Sequence, residues 1–512
     1  MHCTAADILS HCCDRMFGQR VAIVDGPRRV TYRELLDQAL SYSFALRNAG
    51  LKKGDRVAIY LSRSAEAVAS LFGVFFAGGV AVIVNDVLRP RQVQYIADHS
   101  EAFFFITDSR HLSAVPEEVI AGRRLLKVDE LTPPHADCKP ASAIGSDLAL
   151  IVYTSGSTGF PKGVMVTHEN LLSGAEIVAD YLNLSRDDIV LSLLPFSFDY
   201  GLNQVLTVLL VGATLVIQRS LIPPDICRTL ERERITGMAL VPMLWLQLVD
   251  SHSPFLQSAF PHLRYVTNSG GRVPEPVVRS VREAHPDVRI YLMYGLTEAF
   301  RSTYLPPDQV DTRPTSIGKA IPNVEILIVN DQGKLCGVGE VGELVHRGAL
   351  ITRGYWRDPA STTKIFRQHP LKDVAKEGAE TVVFSGDLGR MDADGYLYFA
   401  GRHDQLLKSR GIRISPEEIE QWVFDSALVS AVVAFGALGA GVESRIILAV
   451  VPRYGAAFRE DHLWDFCKRD MPAYMRPHAI WVLERIPLTS SGKPDRVALQ
   501  RAYDELLQPA NS

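Results

Sequence analysis

YTSGSTGFPKG, residues 153–163, is the stretch from which the fold is read. It follows the apolar, β-branched run LALIVY (residues 148–153) and precedes a helical spacing of Leu171, Ala175, Val178 and Leu182. The pattern therefore predicts a loop joining a strand to a helix. Gly156, Gly159 and Gly163 let the backbone approach a ligand with its N–H groups turned inward. Thr154, Ser155, Ser157 and Thr158 add hydroxyl donors, and Lys162 adds a cation. Together these groups suit a polyphosphate. A short Gly/Ser cluster between strand and helix is by default a flexible turn, but so many hydroxyls joined to Pro161 and Lys162 exceed what a turn requires. The P-loop pattern of Gly, four residues and Gly-Lys-Ser/Thr fails at two positions. Counted from Gly156, Pro161 stands where the second glycine belongs, and Gly163 follows Lys162 in place of Ser or Thr.

Outward from this loop the chain alternates. Residues 30–50, VTYRELLDQALSYSFALRNAG, put Leu35, Ala39, Tyr42 and Leu46 on one helical face and stop at Gly50; DRVAIYL, residues 55–61, reads as a buried strand. A helix over 65–77, a strand over 81–84, a helix over 89–99 and a strand over 102–107 repeat the unit. Residues 131–146, rich in Pro, Ala, Ser and Asp, read as a surface connection. Downstream, residues 188–206 give a strand, a turn and a helix beginning near Gly201, and residues 213–217, 237–242 and 263–271 are further strands ending in turns. This alternation predicts an α/β fold of parallel sheets covered by helices. Ligands of such sheets bind beyond the carboxyl ends of the strands, which here supply Asp199, Thr267, Ser269, Gly270 and Gly271. From Val324 short β-like pieces separated by glycine predict a β-rich subdomain, and beyond Asp404 the pattern is that of a compact α+β domain. The expected division is a large N-terminal domain, residues 1–403, and a small C-terminal domain, residues 404–512.

Bulk properties bound the function. A chain of 512 residues forms at least two domains. With 47% hydrophobic and 22% charged residues it is ordinary globular protein, and 54 basic against 58 acidic side chains favour neither nucleic acid nor an anionic membrane. No run of 18 apolar residues occurs, and MHCTAADILSHCCDRMF at the N-terminus carries Asp and His where a signal peptide needs an apolar core. Seven scattered cysteines without a C-x-x-C pair argue against a disulfide framework or metal cluster. The expectation is a cytoplasmic enzyme with reduced thiols.

Several motifs stand in a fixed order: VTYREL (residues 30–35), YTSGSTGFPKG, YGLTE (294–298), GELVHRG with GYWRDP (354–359), SGDLGR (385–390), GRHDQLLKSRGIRISPEEIE (401–420), MPAYMRP (471–477) and PLTSSGKPDR (487–496). In these the chain resembles, over nearly its full length, the AMP-forming adenylate ligases: acyl-CoA synthetases, luciferases and the adenylation domains of nonribosomal peptide synthetases. The resemblance implies an ATP- and Mg²⁺-dependent enzyme that joins a carboxylate to the α-phosphate of ATP, releases pyrophosphate, and passes the acyl group to a phosphopantetheine thiol. That step sets an anion against a polyanion, so charge must be neutralised and the groups aligned. By resemblance the glycine loop cradles the β- and γ-phosphates, Thr297 contacts a phosphate, Glu298 binds Mg²⁺, and Tyr294 packs on adenine beside Gly270 and Gly271. Asp387 would accept the ribose hydroxyls with Arg402 beside it. Lys493 would bridge the carboxylate and the α-phosphate, and Asp404 would be the hinge about which the C-terminal domain turns to withdraw Lys493.

The substrate is written less plainly. LPFSFDYG, residues 194–201, resembles the FD segment of amino-acid-activating domains, where the Asp pairs with the substrate ammonium, so Asp199 is a candidate amine anchor. A buried carboxylate is costly unless paired. The other reading of Asp199 is a cap on the helix that follows. Carrying the family's pocket positions across gives Asp199, Tyr200, Asn203, Thr267, Ser269, Met293, Arg301 and Ser302. Their polarity argues against a long alkyl chain, since each unpaired polar group would cost roughly 1–3 kcal/mol, and Arg301 suggests a second anionic or carbonyl group. YGLTE leans towards acyl-CoA synthetases, and YGLTEAFRSTYLPP is similar to stand-alone acyl-CoA ligases associated with exosortase systems. The expected acceptor is a carrier protein in trans, because 16 residues follow Arg496; the alternatives are free CoA and a catalytically silent nucleotide-binding protein.

Overall fold

The computed structural model describes residues 4–13, 17–113, 115–130, 140–154, 161–372, 378–403, 405–409, 412–437, 445–453 and 458–507. Asp404, the expected hinge, and Ser155, Gly156, Ser157, Thr158 and Gly159 of the glycine loop lie outside the described residues.

Helices form where the sequence signals their starts. Tyr32–Asn48 opens on a reciprocal cap: Glu34 N–H donates to Thr31 Oγ1 at 3.2 Å and Thr31 N–H to Glu34 Oε2 at 2.8 Å, which is the physical content of VTYREL. Its buried face carries Leu35, Ala39, Tyr42 and Leu46, packed on the apolar helix Ala65–Ala77. Strands Arg56–Tyr60, Val80–Val84 and Phe104–Thr107 follow the expected alternation.

Among the described residues the strands form five sheets. One has nine strands in the order Lys319–Ala320, Thr303–Leu305, Arg289–Tyr294, Tyr265–Asn268, Gly237–Leu240, Ile189–Ser192, Thr214–Ile217, Val21–Asp25, Arg28–Thr31. Its six central strands are parallel. A second has six strands, Arg124–Lys127, Phe104–Thr107, Arg56–Tyr60, Val80–Val84, Leu148–Thr154 and Lys162–Thr167. Ile23 and Leu215 of the first sheet and Val57, Ile59 and Val152 of the second belong to one core, shared with helices Tyr32–Asn48, Ala65–Ala77, His168–Tyr181 and Asp199–Val211. The opposite face of the nine-stranded sheet buries Ile226, Leu230, Trp245, Leu248, Val277 and Val281 from three further helices. Helices thus cover both sheets on both faces, the arrangement that parallel strands require.

One expectation is corrected. The glycine loop does not join a strand to a helix: it joins Leu148–Thr154 to the antiparallel strand Lys162–Thr167, and the helix starts only at His168. The GVMVT run buries Gly163, Val164, Val166 and Thr167 without a clean period-two alternation, and it is too short to stand out between a loop and an amphipathic helix. A second shift is small: the helix expected near Gly201 begins at Asp199.

Val324–Val329, Gly342–Gly348, Thr381–Met391, Phe366–Gln368 and Leu397–Arg402 form the β-rich subdomain as an antiparallel sheet. Towards the C-terminus, Val429–Ala437, Arg445–Pro452 and Ala479–Val482 form a three-stranded sheet packed by helices Pro416–Asp425, Glu460–Asp470 and Arg496–Leu507. Among the described residues no helix is long and apolar enough to cross a membrane.

Candidate active site

The parallel register of the nine-stranded sheet pairs Leu240 with Asn268 and Asn268 with Leu292, so three strands end at nearly one level. The turns beyond them meet in one cleft. Gly270 turns there with φ +84°, a conformation glycine adopts without strain. A Cβ at residue 270 would lie 3.1 Å from Lys493 Cε. Lys493 enters from the C-terminal sheet domain on a tight turn, in which Gly492 N–H donates to Thr489 O at 2.9 Å and Thr489 N–H to Lys493 O at 2.7 Å. Its Nζ stands 5.7 Å from the centre of the Phe198 ring. Burial lowers the ammonium pKa, Asp199 and Asp387 oppose the shift, Arg402 adds to it, and Glu298 opposes it.

Opposite stands a polar cluster from three elements. Tyr294, at the end of its strand, donates from Oη to Asp387 Oδ2 at 2.6 Å. Arg402 Nε lies 3.3 Å from Asp387 Oδ1, which is buried and receives no hydrogen bond. Asp387 and Arg402 face each other directly across antiparallel strands. Burial raises the Asp387 carboxyl above its ordinary range, and Arg402, Tyr294 and Lys493 pull it back. His346, fully buried beside Tyr294, is pushed down to about 3 by burial.

Thr297 and Glu298 lie on a single 3-10 turn, Thr297–Ala299. Glu298 Oε1 accepts from Tyr355 Oη at 2.6 Å, and its carbonyl accepts from both Thr352 N–H at 3.0 Å and Thr352 Oγ1 at 2.9 Å. Lys162 Nζ lies 5.2 Å from the same Tyr355 ring and donates to Ser361 Oγ at 2.7 Å. Tyr355 and Ser361 therefore tie the glycine-loop strand to the Glu298 turn. Sequence reasoning placed Tyr355 inside the GYWRDP motif without giving it a role; its partners lie far away in the chain and leave no local signal.

The third wall is built on the helix Asp199–Val211. Phe198 is its N-cap, so Asp199 is the first helical residue, and Asp199 Oδ1 accepts the N–H of Tyr200 at 2.8 Å. An anion at this end of a helix is favoured by the backbone dipole. No cation lies within ion-pair distance of the Asp199 side chain among the described residues. Asn203 follows one turn later, on the same face. Tyr200 Oη and Thr267 Oγ1 share a hydrogen bond at 2.5 Å, and Ser269 and Met293 are buried at the ends of neighbouring strands. Gly271 and Thr154 are less enclosed, Gly271 being exposed at the rim.

After the Glu298 turn the backbone does something unusual. Phe300 has φ +51° and ψ −50°, and Arg301 N–H donates to Ala299 O at 2.6 Å. This is a γ-turn of the strained, positive-φ kind at a bulky residue. The Phe300 ring is wholly buried, and a Cβ at Gly174 would meet it at 2.6 Å, so only glycine on helix His168–Tyr181 admits the ring. The turn brings Arg301 and Ser302 inward. Arg301 lies 5.0 Å over the Tyr200 ring and donates from Nη2 to Asp199 O at 3.3 Å.

A cavity of ≈ 460 Å³ opens on the other side of the Lys493 turn, lined by Asn85, Val87, Leu194, Phe196, Met243 and the turn residues Thr489 to Gly492. Asn85 Nδ2 donates to Ser490 O at 3.1 Å, joining the six-stranded sheet to the turn that carries Lys493.

Comparison with known proteins agrees with this geometry. Residues 11–356 match the AMP-binding enzyme family, and residues 418–493 match the AMP-binding enzyme C-terminal domain. The chain belongs to this family, the AMP-forming adenylate ligases. It is 31% identical over 483 residues to one of the polypeptides of linear gramicidin synthase from Brevibacillus parabrevis and 30% identical over 486 residues to gramicidin S synthase 2 of Brevibacillus brevis. Each match covers 94% of this chain but only 9% and 11% of those much longer relatives. Among solved structures, o-succinylbenzoate CoA synthetase from Bacillus subtilis with ATP and magnesium ion superposes with a TM-score of 0.83 at 26% identity, covering 97% of this chain and 99% of that one. Anthranilate CoA ligase AuaEII with anthranoyl-AMP shares the fold, with a TM-score of 0.88 at 24% identity and 98% of both chains. The class so defined is that of the AMP-forming adenylate ligases.

Proposed function

We propose that this chain activates a polar carboxylic acid, an amino acid being the favoured kind, and passes the acyl group to the phosphopantetheine thiol of a carrier protein. The observation that carries the reading is Lys493 of the C-terminal part against Gly270, where Asp199, Asp387 and Glu298 act on its charge. In the first step a carboxylate oxygen attacks the α-phosphorus and pyrophosphate leaves with the bridging oxygen. Lys493 holds the two anions together as the new bond forms. Asp387 accepts ribose hydroxyls on Oδ1, the buried oxygen without a hydrogen bond. Tyr294 and Arg402 fix that carboxylate, while Gly270 and Gly271 border the base. Thr154, Lys162 and the residues from Ser155 to Gly159 hold the leaving pyrophosphate, with Thr297 on a phosphate. Glu298 would hold Mg²⁺, whose charge would offset that of the phosphates.

In the second step the thiol sulfur attacks the acyl carbon, AMP leaves with the oxygen that came from the acid, and the thiol proton goes to solvent. Residues 1–403 and 404–512 act as separate bodies that turn about Asp404. The turn Thr489–Gly492 closes the cavity beside Asn85, so the rotation that withdraws Lys493 also opens that space. Full-length similarity to a CoA synthetase and the YGLTE motif favour a second reading, in which free CoA is the acceptor.

ATP–pyrophosphate exchange over a panel of amino, hydroxy, short and long carboxylic acids tests the first step. The expected result is exchange with polar or amino acids and little with fatty acids. Efficient exchange with plain fatty acids overturns the polar assignment, and silence towards every acid favours a nucleotide-binding protein without catalysis. Thioester formation assayed in parallel with CoA and with a phosphopantetheinylated carrier protein decides the acceptor.

A further inference from the structure

Among the described residues Arg301 is a charge without an ion-pair partner. Its residue is 5% exposed, and among the described residues its guanidinium forms no ion pair with a carboxylate, donating instead to a backbone carbonyl. Nη2 reaches only the carbonyl of Asp199, at 3.3 Å, and Nε–H has no acceptor. Buried charges are normally paired, because removing an ion from water costs far more than one backbone carbonyl returns. Two neighbours share the condition. Asn203 Nδ2, on a residue 2% exposed, and Ser302 Oγ, on a residue 1% exposed, are buried with no hydrogen-bond partner. Three donors from two elements are therefore left open around the start of one helix.

These groups are placed there at some cost. The γ-turn at Phe300 strains the backbone and turns Arg301 and Ser302 away from the solvent side. The guanidinium carbon lies 5.0 Å from the centre of the Tyr200 ring and 5.8 Å from that of Phe300. A planar fork beside aromatic rings suits a carboxylate, which it binds through two parallel N–H···O bonds. A neutral carbonyl would fill one donor and leave the net charge; an anion satisfies both.

We infer that the acid activated by this enzyme carries a second anionic group of the carboxylate class, seated on Arg301 with Asn203 and Ser302 as further donors. The inference rests on the ligase reading above and specifies its substrate. Asp199, a turn away on the same helix face, remains available for an ammonium, so an acidic amino acid meets both ends of the site.

The test is ATP–pyrophosphate exchange by the full chain with matched acids that differ only in a distal carboxylate, its primary amide or a methyl group, each with and without an α-amino group. Doubly acidic members should exceed their amide and methyl counterparts in kcat/KM by about 100-fold or more, the discrimination of a site that leaves buried donors unpaired with the wrong ligand. Arg301→Gln should erase that preference and raise KM for the doubly acidic acid more than it lowers kcat. Stabilisation by AMP in a thermal shift confirms that the variant is folded, and Ser302→Ala provides a milder loss in the same direction. Equal or better exchange by the amide or methyl acids overturns the inference while leaving the ligase reading intact. Silence of the unaltered enzyme with every acid overturns that reading and this inference with it.

Discussion

Facing Lys493, the Asp387 side of the cleft offers an acceptor, whereas the Arg301 side offers donors. Asp387 has one oxygen bound by Tyr294 and the other buried without a hydrogen bond beside Arg402, which suits a hydroxyl donor such as ribose. Among the described residues Arg301 Nε, Asn203 Nδ2 and Ser302 Oγ instead are buried with no hydrogen-bond partner. The difference teaches how one scaffold separates a shared task from a private one. On the proposed reading, the nucleotide side is assembled from residues whose charges are mutually braced, while the acid side takes its residues from the FD segment and from the turn that follows YGLTE and is left open for one partner. Unsatisfied buried atoms are rare enough in folded proteins that their grouping by type is informative.

The comparison breaks most decisively at Lys493, which serves both sides. Lys493→Ala should lower acid-dependent ATP–pyrophosphate exchange by about 10³-fold, the usual scale for losing a preorganised charge at a transition state. Thioester formation from a supplied acyl-adenylate should persist, because the lysine is withdrawn in that step. Loss of both half-reactions would contradict the role.

Two buried imidazoles, one beside Tyr294 and one packed on Phe75, tie the fold to acid stability. His346 is pushed down to about 3 and His168, at the start of the helix that carries Gly174, to about 4, both chiefly by burial. A histidine whose folded pKa lies below its unfolded value is neutral in the fold and takes up a proton on unfolding. Its stabilisation is complete above the unfolded pKa of about 6.5 and is lost as pH falls towards the folded value. Between pH 7 and pH 5 each should remove about 2 kcal/mol from the unfolding free energy. Urea unfolding at the two values measures the sum, and His168→Gln should flatten the dependence by its share; an unchanged slope would mean that its imidazole is already charged in the fold.

Asp387→Asn sharpens the contrast on the nucleotide side alone. It removes the charge that braces Arg402 and leaves the Tyr294 hydroxyl an acceptor of the same size. A hydrogen bond to a charged group is worth about 1.5–3 kcal/mol, so AMP affinity should fall by about 10–100-fold by calorimetry. The preference among matched acids should stay as it was. A change in acid preference would show that the two sides are not separable.

How much of this was legible follows from what each signal depends on. Alternation of period 3.6 and period 2 is local, so Tyr32–Asn48, Ala65–Ala77 and the strands around them could be read directly. Strand Lys162–Thr167 was not, because its few residues merge with the loop before and the helix after. The cleft residues carried by motifs could be named, and Asp199, Arg301 and Ser302 could be put forward as candidates for the acid. The γ-turn at Phe300 could not: a large aromatic residue at positive φ has no propensity that announces it. Nor could the pairings of Glu298 with Tyr355 and of Asn85 with Ser490, since side chains 57 and 405 residues apart meet only in the folded chain.

That last contact gives the smallest and most discriminating effect. Asn85 is buried, and its Oδ1 accepts the N–H of Val87 at 3.1 Å, which orients the amide so that Nδ2 meets Ser490 O at 3.1 Å. The bond holds the Lys493 turn to the large domain only while Lys493 is in the cleft. Asn85→Ala removes the neutral hydrogen bond to Ser490, worth about 0.5–1.5 kcal/mol, along with the one accepted from Val87, and should slow adenylation by about 3- to 10-fold. Thioester formation from supplied acyl-adenylate should be unchanged, since the bond is already broken when the turn departs. Asn85→Asp keeps the acceptor for Val87 but sets a carboxylate against the Ser490 carbonyl, so it should slow adenylation further than the alanine does. Equal slowing of both half-reactions would mean that Asn85 supports the walls of the ≈ 460 Å³ cavity and not the placement of Lys493.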